Sequence, residues 1–240
     1  MAAEIVIAVL NQSTVATDSE VEIVAAHLQI QVSRDFAPIW GVDAIVHFLP
    51  KTSKPSPSTW QLVILDDSDQ AGALGYHDLT ASGMPLAKIF ARTTIDAGLS
   101  WSVTASHEIM EMLVDPDINL TAFVQTSDTA GTLYAYEVAD ACEDDSFGYD
   151  IGTLQPTRVS DFVTPAWFEP QGTNTNPKFD FRGHVTAPFQ LLSGGYIGVF
   201  DVTGGTGWTQ LTADKVTARE AGLRPRFETR KTVRRQRSRH

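Results

Sequence analysis

An α+β protein is predicted, on three observations. Strand-like apolar runs and helical patterns follow one another through the first 116 residues, residues 117–223 are rich in loop formers, and a strongly basic segment closes the chain. The expected divisions are a mixed N-terminal sheet with helices over residues 1–116, a loop-rich subdomain with a hairpin over 117–223, and a disordered basic tail over 224–240. With 240 residues, 42% of them hydrophobic, the chain can bury a full core as one large or two small domains.

Glu4 to Leu10, EIVIAVL, is an almost unbroken apolar run and reads as a buried strand. Thr17 and Glu20 have the spacing of a capping box, so a helix is expected over roughly residues 18–33, with His27 on its surface or half-buried. Strands are expected at Asp43 to Leu49 and Trp60 to Leu65, separated by the irregular loop PKTSKPSPS, and His47 inside the first of them reads as structural. ALGYHD at 73–78 and PLAKIFA at 85–91 follow, and then a helix from Trp101 that Pro116 brings to an end. Glu143 to Pro188 should form long loops, short helices and a few strands, with Trp167 and Phe168 as packing anchors. Residues 183–202 suggest a hairpin turning at Gly194-Gly195.

Charge is divided unevenly. Residues 224–240 hold eight Lys/Arg and one acid, whereas the preceding 223 residues hold 10 Lys/Arg against 28 Asp/Glu, so the overall charge of −11 combines segments of opposite sign. The tail is too polar to bury a core and has the composition that docks on an acidic surface or a nucleic acid. No apolar stretch reaches membrane-spanning length, and MAAEIVIAVLNQS lacks the basic start of a signal peptide, so a cytoplasmic protein, or one in a particle assembled inside a cell, without membrane contact is expected. The single cysteine, Cys142, excludes an internal disulfide. Flanked by Glu143, Asp144 and Asp145, its thiolate is disfavoured, and it reads as a buried structural thiol.

The stretch WSVTASHEIMEMLVDP, Trp101 to Pro116, carries the chemistry. Helical spacing sets His107, Glu111 and Asp115 in one polar row with Glu108 beside it. Zinc takes imidazole nitrogen and carboxylate oxygen, and a catalytic ion needs three protein ligands with a fourth position open to water. The plain alternative is an i, i+4 hydrogen-bonded His107–Glu111 pair with Glu108 on a solvated face. A calcium loop starting at Asp115 is disfavoured, because Leu120 stands where glycine is needed and Thr126 where glutamate is needed.

His107-Glu108 followed by Glu111 resembles the H-E-x-x-H motif of zincin-like metallopeptidases, with glutamate in place of the second histidine. SHEIMEMLVDP together with YEVADACE is similar to an uncharacterised bacterial and phage group of metallopeptidase-like proteins, matching at Ser106, His107, Glu108, Glu111, Asp115, Pro116, Glu137, Asp140 and Cys142. The resemblance implies a zincin-like fold in which an edge strand, ALGYHD or LAKIFA, lies along a peptide-binding cleft. It implies His107, Glu111 and Glu137 as metal ligands, with Asp140 and Asp115 as alternatives for the third, and Glu108 as general base. His184 and Tyr196 are candidates to approach the site. A site with one histidine and two carboxylates suits zinc but makes calcium, magnesium or manganese competitive.

Two functions are therefore expected. One is a metal-dependent peptidase or amidase acting on a peptide or protein. The other is a non-catalytic zincin-like structural or assembly protein, whose basic tail contacts a phage capsid, a phage tail or nucleic acid.

Overall fold

The computed structural model describes residues 4–170, 172, 175–205 and 207–213, and the basic tail over 224–240 lies outside the described residues. Its first half is built on a five-stranded sheet. Strands β1 (Val6–Asn11), β2 (Ile45–Leu49), β3 (Trp60–Leu65), β4 (Gly75–Leu79) and β5 (Pro85–Phe90) lie in the order β2-β1-β3-β5-β4. The first four in that order are parallel, and β4 closes one edge antiparallel to β5. Parallel strands buried on both faces read as continuous apolar runs, which is why β1 and β3 are the plainest elements in the sequence.

Helix α1 (Asp18–Ile30) connects β1 to β2. Thr17 and Glu20 form the expected capping box, and Val21, Val24, Ala25 and Leu28 supply the buried face. The helical path continues past Ile30 through a widened turn over Gln31–Phe36 into the short helix α2 (Ala37–Trp40), where Gly41 at φ 71° ends it in the left-handed conformation. His27 sits half-buried and holds the Thr157 hydroxyl at 2.6 Å, tying α1 to a strand far along the chain.

Helices α3 (Ala91–Asp96) and α4 (Trp101–Val114) follow β5. From Ser102 to Leu113 every residue of α4 is buried. A helix enclosed on all sides carries its polar residues into the interior with its apolar ones, and this places the motif at the centre of the molecule. Gly75 permits a close approach of β4 to α4: a Cβ there would stand 2.7 Å from Thr104 Cγ2, 2.9 Å from the Lys88 carbonyl and 3.0 Å from Glu108 Oε1.

The second half holds more sheet than its composition suggests. Strands β6 (Thr121–Ser127) and β7 (Ala130–Ala135) form a hairpin, and β10 (Tyr196–Asp201) and β11 (Trp208–Thr212) extend it in the order β11-β10-β7-β6. Two short strands, β8 (Tyr149–Ile151) and β9 (Thr157–Val159), pair separately. The hairpin predicted over 183–202 is corrected. Residues 183–195 form no strand, and β10 instead pairs with β7 and β11. Backbone conformation accounts for this: Gly183 and Gly194 both have positive φ, and Phe189, after Pro188, is held at φ 55°, which an extended strand cannot contain. The largest hydrophobic cluster draws on both halves, from Ile7 and Leu28 to Trp167 and Val199. Trp167 and Phe168 anchor it as expected, in an aromatic group with Trp40, Tyr136 and Phe189. Among the described residues no helix is long and apolar enough to cross a membrane.

Candidate metal centre

Three segments meet at the middle of α4. The helix supplies His107, Glu108 and Glu111, edge strand β4 supplies His77, and the loop after β7 supplies Glu137 and Asp140. His107 Nε2 lies 3.0 Å from Glu111 Oε1 and 3.2 Å from Asp140 Oδ1. His77 Nδ1 lies 3.4 Å from Glu108 Oε2 and 3.7 Å from Glu111 Oε2, and its Nε2 lies 3.8 Å from Glu137 Oε2. The two oxygens of Glu111 thus face different histidines, and Oε1 also accepts the Ala139 amide at 3.2 Å, fastening the loop to the helix. None of these six residues is more than 5% exposed.

The donor atoms fall into two groups that share Glu111: His107, Glu111 and Asp140 in one, His77, Glu111 and Glu137 in the other. Ligands about 2.1 Å from a tetrahedral ion stand about 3.4 Å apart. The His107 group is closest to that spacing. The loop therefore brings Asp140 to His107 and Glu137 to His77, so the residue favoured from sequence as the third ligand and its alternative occupy neighbouring corners of one pocket.

The donor chemistry fits a divalent cation. Four carboxylates and two histidines are buried together, and even with both histidines protonated the acids outnumber them by two. Buried acids are stabilised by a nearby cation, and imidazole nitrogen with carboxylate oxygen is a donor set that a divalent ion accepts. For His77, burial alone would lower the pKa. The hydrogen bond to Glu108 and the charges of Glu137, Glu111 and Glu108 outweigh burial, and the imidazole is held up at about 9. Its Nε2 is buried with no hydrogen-bond partner among the described residues.

Sequence reasoning missed His77. It stands in a five-residue strand with no neighbouring motif, and only the antiparallel pairing with β5, in which His77 opposes Ala87, brings it over α4. The sole signal was Gly75 two residues before it, on the same face of the strand.

Asp115 is buried but does another job. Its carboxylate accepts the Asn119 amide at 2.8 Å and the Leu120 amide at 3.1 Å, so it shapes the turn after α4 that Pro116 begins. The chain then enters strand β6 rather than a second helix, unlike a calcium-binding loop. Tyr196 opposes Thr212 at the start of β10. His184 joins a different cluster, with Asp161 and Asp180. Burial and the adjoining Asp180 push the Asp161 carboxyl up to about 8. Cys142 is fully buried, and desolvation with the charges of Asp161, Asp180, Asp140 and Glu111 raises its thiol well above the ordinary range, in keeping with a structural thiol.

Set against models of protein families, curated proteins and solved structures, this chain finds no match in any of the three.

Proposed function

We propose that this chain is a metal-dependent hydrolase of peptide or amide bonds with a zincin-like arrangement of helix and edge strand. One observation carries the reading: Glu111 and Asp140 converge on His107, their carboxylate oxygens 3.0 and 3.2 Å from its Nε2, beside a second glutamate on the same helix. These three would hold the ion, with Glu137 and His77 on its flank. The His107 nitrogen in the donor set moves it toward zinc or manganese and away from calcium, which prefers oxygen alone.

The ion would supply Lewis acidity toward a carbonyl oxygen. Glu108 would accept the proton of the attacking water and return it to the leaving amine, and His77, 3.4 Å away, would position that carboxylate. β4 ends the sheet, so its outer edge would pair with an extended peptide by β-augmentation.

A second reading is favoured by burial. Because all six residues are at most 5% exposed, substrate would reach them only after the pocket opens. A structural protein stapled by its ion, with residues 224–240 docking on a virion component or nucleic acid, needs no such opening.

Elemental analysis of the protein purified without chelator, followed by peptidase assays of the wild type and Glu108→Gln, separates the two. The hydrolase reading expects bound metal in both and turnover in the wild type only. Bound metal with no turnover in either leaves the structural reading, and absence of metal from both removes the centre.

A further inference from the structure

We infer that Asp161, Asp180 and His184 form a second divalent-cation site, structural in role, that clips the loop-rich half together. It does not depend on the α4 centre. Asp161 and Asp180 are both fully buried, and they sit on two segments that pair through the isolated bridge Val163–Asp180, the Phe181 amide to the Phe162 carbonyl, and the Thr164 amide to the Phe179 carbonyl. His184 Nδ1 stands 3.4 Å from Asp161 Oδ2 and 3.7 Å from Asp180 Oδ2. These are close to the separations of ligands about 2.1 Å from one tetrahedral ion.

Three of the four carboxylate oxygens have hydrogen-bond partners, Asp161 Oδ2 with the His184 imidazole itself. Asp161 Oδ1 accepts the Phe162 and Arg182 amides at 2.8 and 3.1 Å, and Asp180 Oδ2 accepts the His184 amide at 2.7 Å. Those bonds orient both carboxylates toward the histidine, as outer contacts orient metal ligands. Asp180 Oδ1 is the exception: it is buried and meets no N–H or O–H donor among the described residues, and the Asp180 carboxyl adjoins that of Asp161. Two buried carboxylates side by side need either a shared proton or a cation. The imidazole is a nitrogen donor aimed at the pair, and it selects the cation, of the zinc or manganese class rather than calcium. The His184 side chain is 40% exposed, which gives an ion a route in and leaves room for water as a fourth ligand.

The test uses the full chain, stripped with chelator and titrated with Zn²⁺ alone, with bound zinc counted for the wild type, His184→Ala, Asp180→Asn and His107→Ala. The expected result is that His184→Ala and Asp180→Asn each lose one equivalent that His107→Ala retains. Zinc should also slow amide exchange in residues 160–164 and 179–184, in the wild type and in His107→Ala alike. That exchange measurement decides the matter if Asp180→Asn fails to fold. Unchanged zinc content in His184→Ala, with no exchange protection in those segments, overturns the second site and leaves a proton-sharing acid pair. Loss in His107→Ala alone also overturns it, whereas loss in His184→Ala alone keeps it and removes the α4 centre.

Discussion

Asp66 and Glu111 are both carboxylates at the heart of a local network, yet the networks are opposites. Asp66, at the end of β3, accepts the Ser13 hydroxyl at 2.5 Å, the Thr14 amide and hydroxyl at 2.7 and 2.6 Å, and the Arg92 guanidinium at 2.6 Å. Those donors hold its pKa well below the usual carboxylate range, the Ser13 and Thr14 bonds contributing most. Glu111 stands among three other carboxylates and two histidines. A carboxylate met by protein donors is complete and serves architecture. Carboxylates gathered around imidazoles instead offer the donor types of a metal site, which is the basis of the proposed centre.

The strongest test of the contrast is Glu111→Gln, because the sign of its effect should depend on metal. Without metal, one of four buried acids is neutralised, and the variant should unfold at a temperature equal to or above the wild type. Measured in a His184→Ala background, which lacks the second site, saturating Zn²⁺ should stabilise the protein with Glu111 by about 4 kcal/mol at a thousandfold excess over Kd, and the protein with Glu111→Gln by little. Thermal melts with and without zinc check this, and equal zinc-induced shifts would break the comparison.

Asp115→Ala should behave as an architectural change. Removing the acceptor of the Asn119 and Leu120 amides should cost about 1–3 kcal/mol in denaturant melts and leave bound zinc unaltered. Gly75→Ala tests whether the approach of β4 matters to the centre. Its new Cβ meets a backbone carbonyl and Thr104, so we expect a loss of about 1–3 kcal/mol together with weaker zinc binding, read by calorimetry.

The smallest effect concerns pH. The folded-state pKa of Asp66 is depressed, so its contribution to stability is present above the unfolded value of about 3.9 and is lost as pH falls further. Melts between pH 6 and pH 2.5 should show a decline below about pH 4 that is reduced in Asp66→Asn.

Elements whose sequence signal is local were legible before the structure. The capping box at Thr17 and Glu20, the apolar runs of β1 and β3, and the α4 row of His107, Glu108 and Glu111 all depend on residues within one or two turns of each other. What escaped depends on distant pairing. His77 becomes part of the centre only through the β4–β5 register, and the choice between Glu137 and Asp140 depends on the turn over Asp140–Cys142, fastened by the Ala139 amide. The β6–β7 hairpin was overlooked because its strands are half-exposed and polar, with Phe123 53% exposed. The reading of His184 toward the α4 centre failed at Gly183, whose left-handed turn and the Asp180 bond to the His184 amide direct that imidazole to another pair of acids.

The donors of the α4 centre come from residues 77, 107, 111, 137 and 140, which span more than sixty positions of chain. Helix α4 by itself offers only His107 and Glu111, so a peptide of residues 101–114 should chelate poorly. Coordination there would have to wait for the slow, non-local steps of folding, when β4 has docked on β5 and the loop after β7 has closed on the helix. The ion would then act as a late lock on an assembled chain, and its rate of uptake during refolding would serve as a clock for the arrival of the native topology.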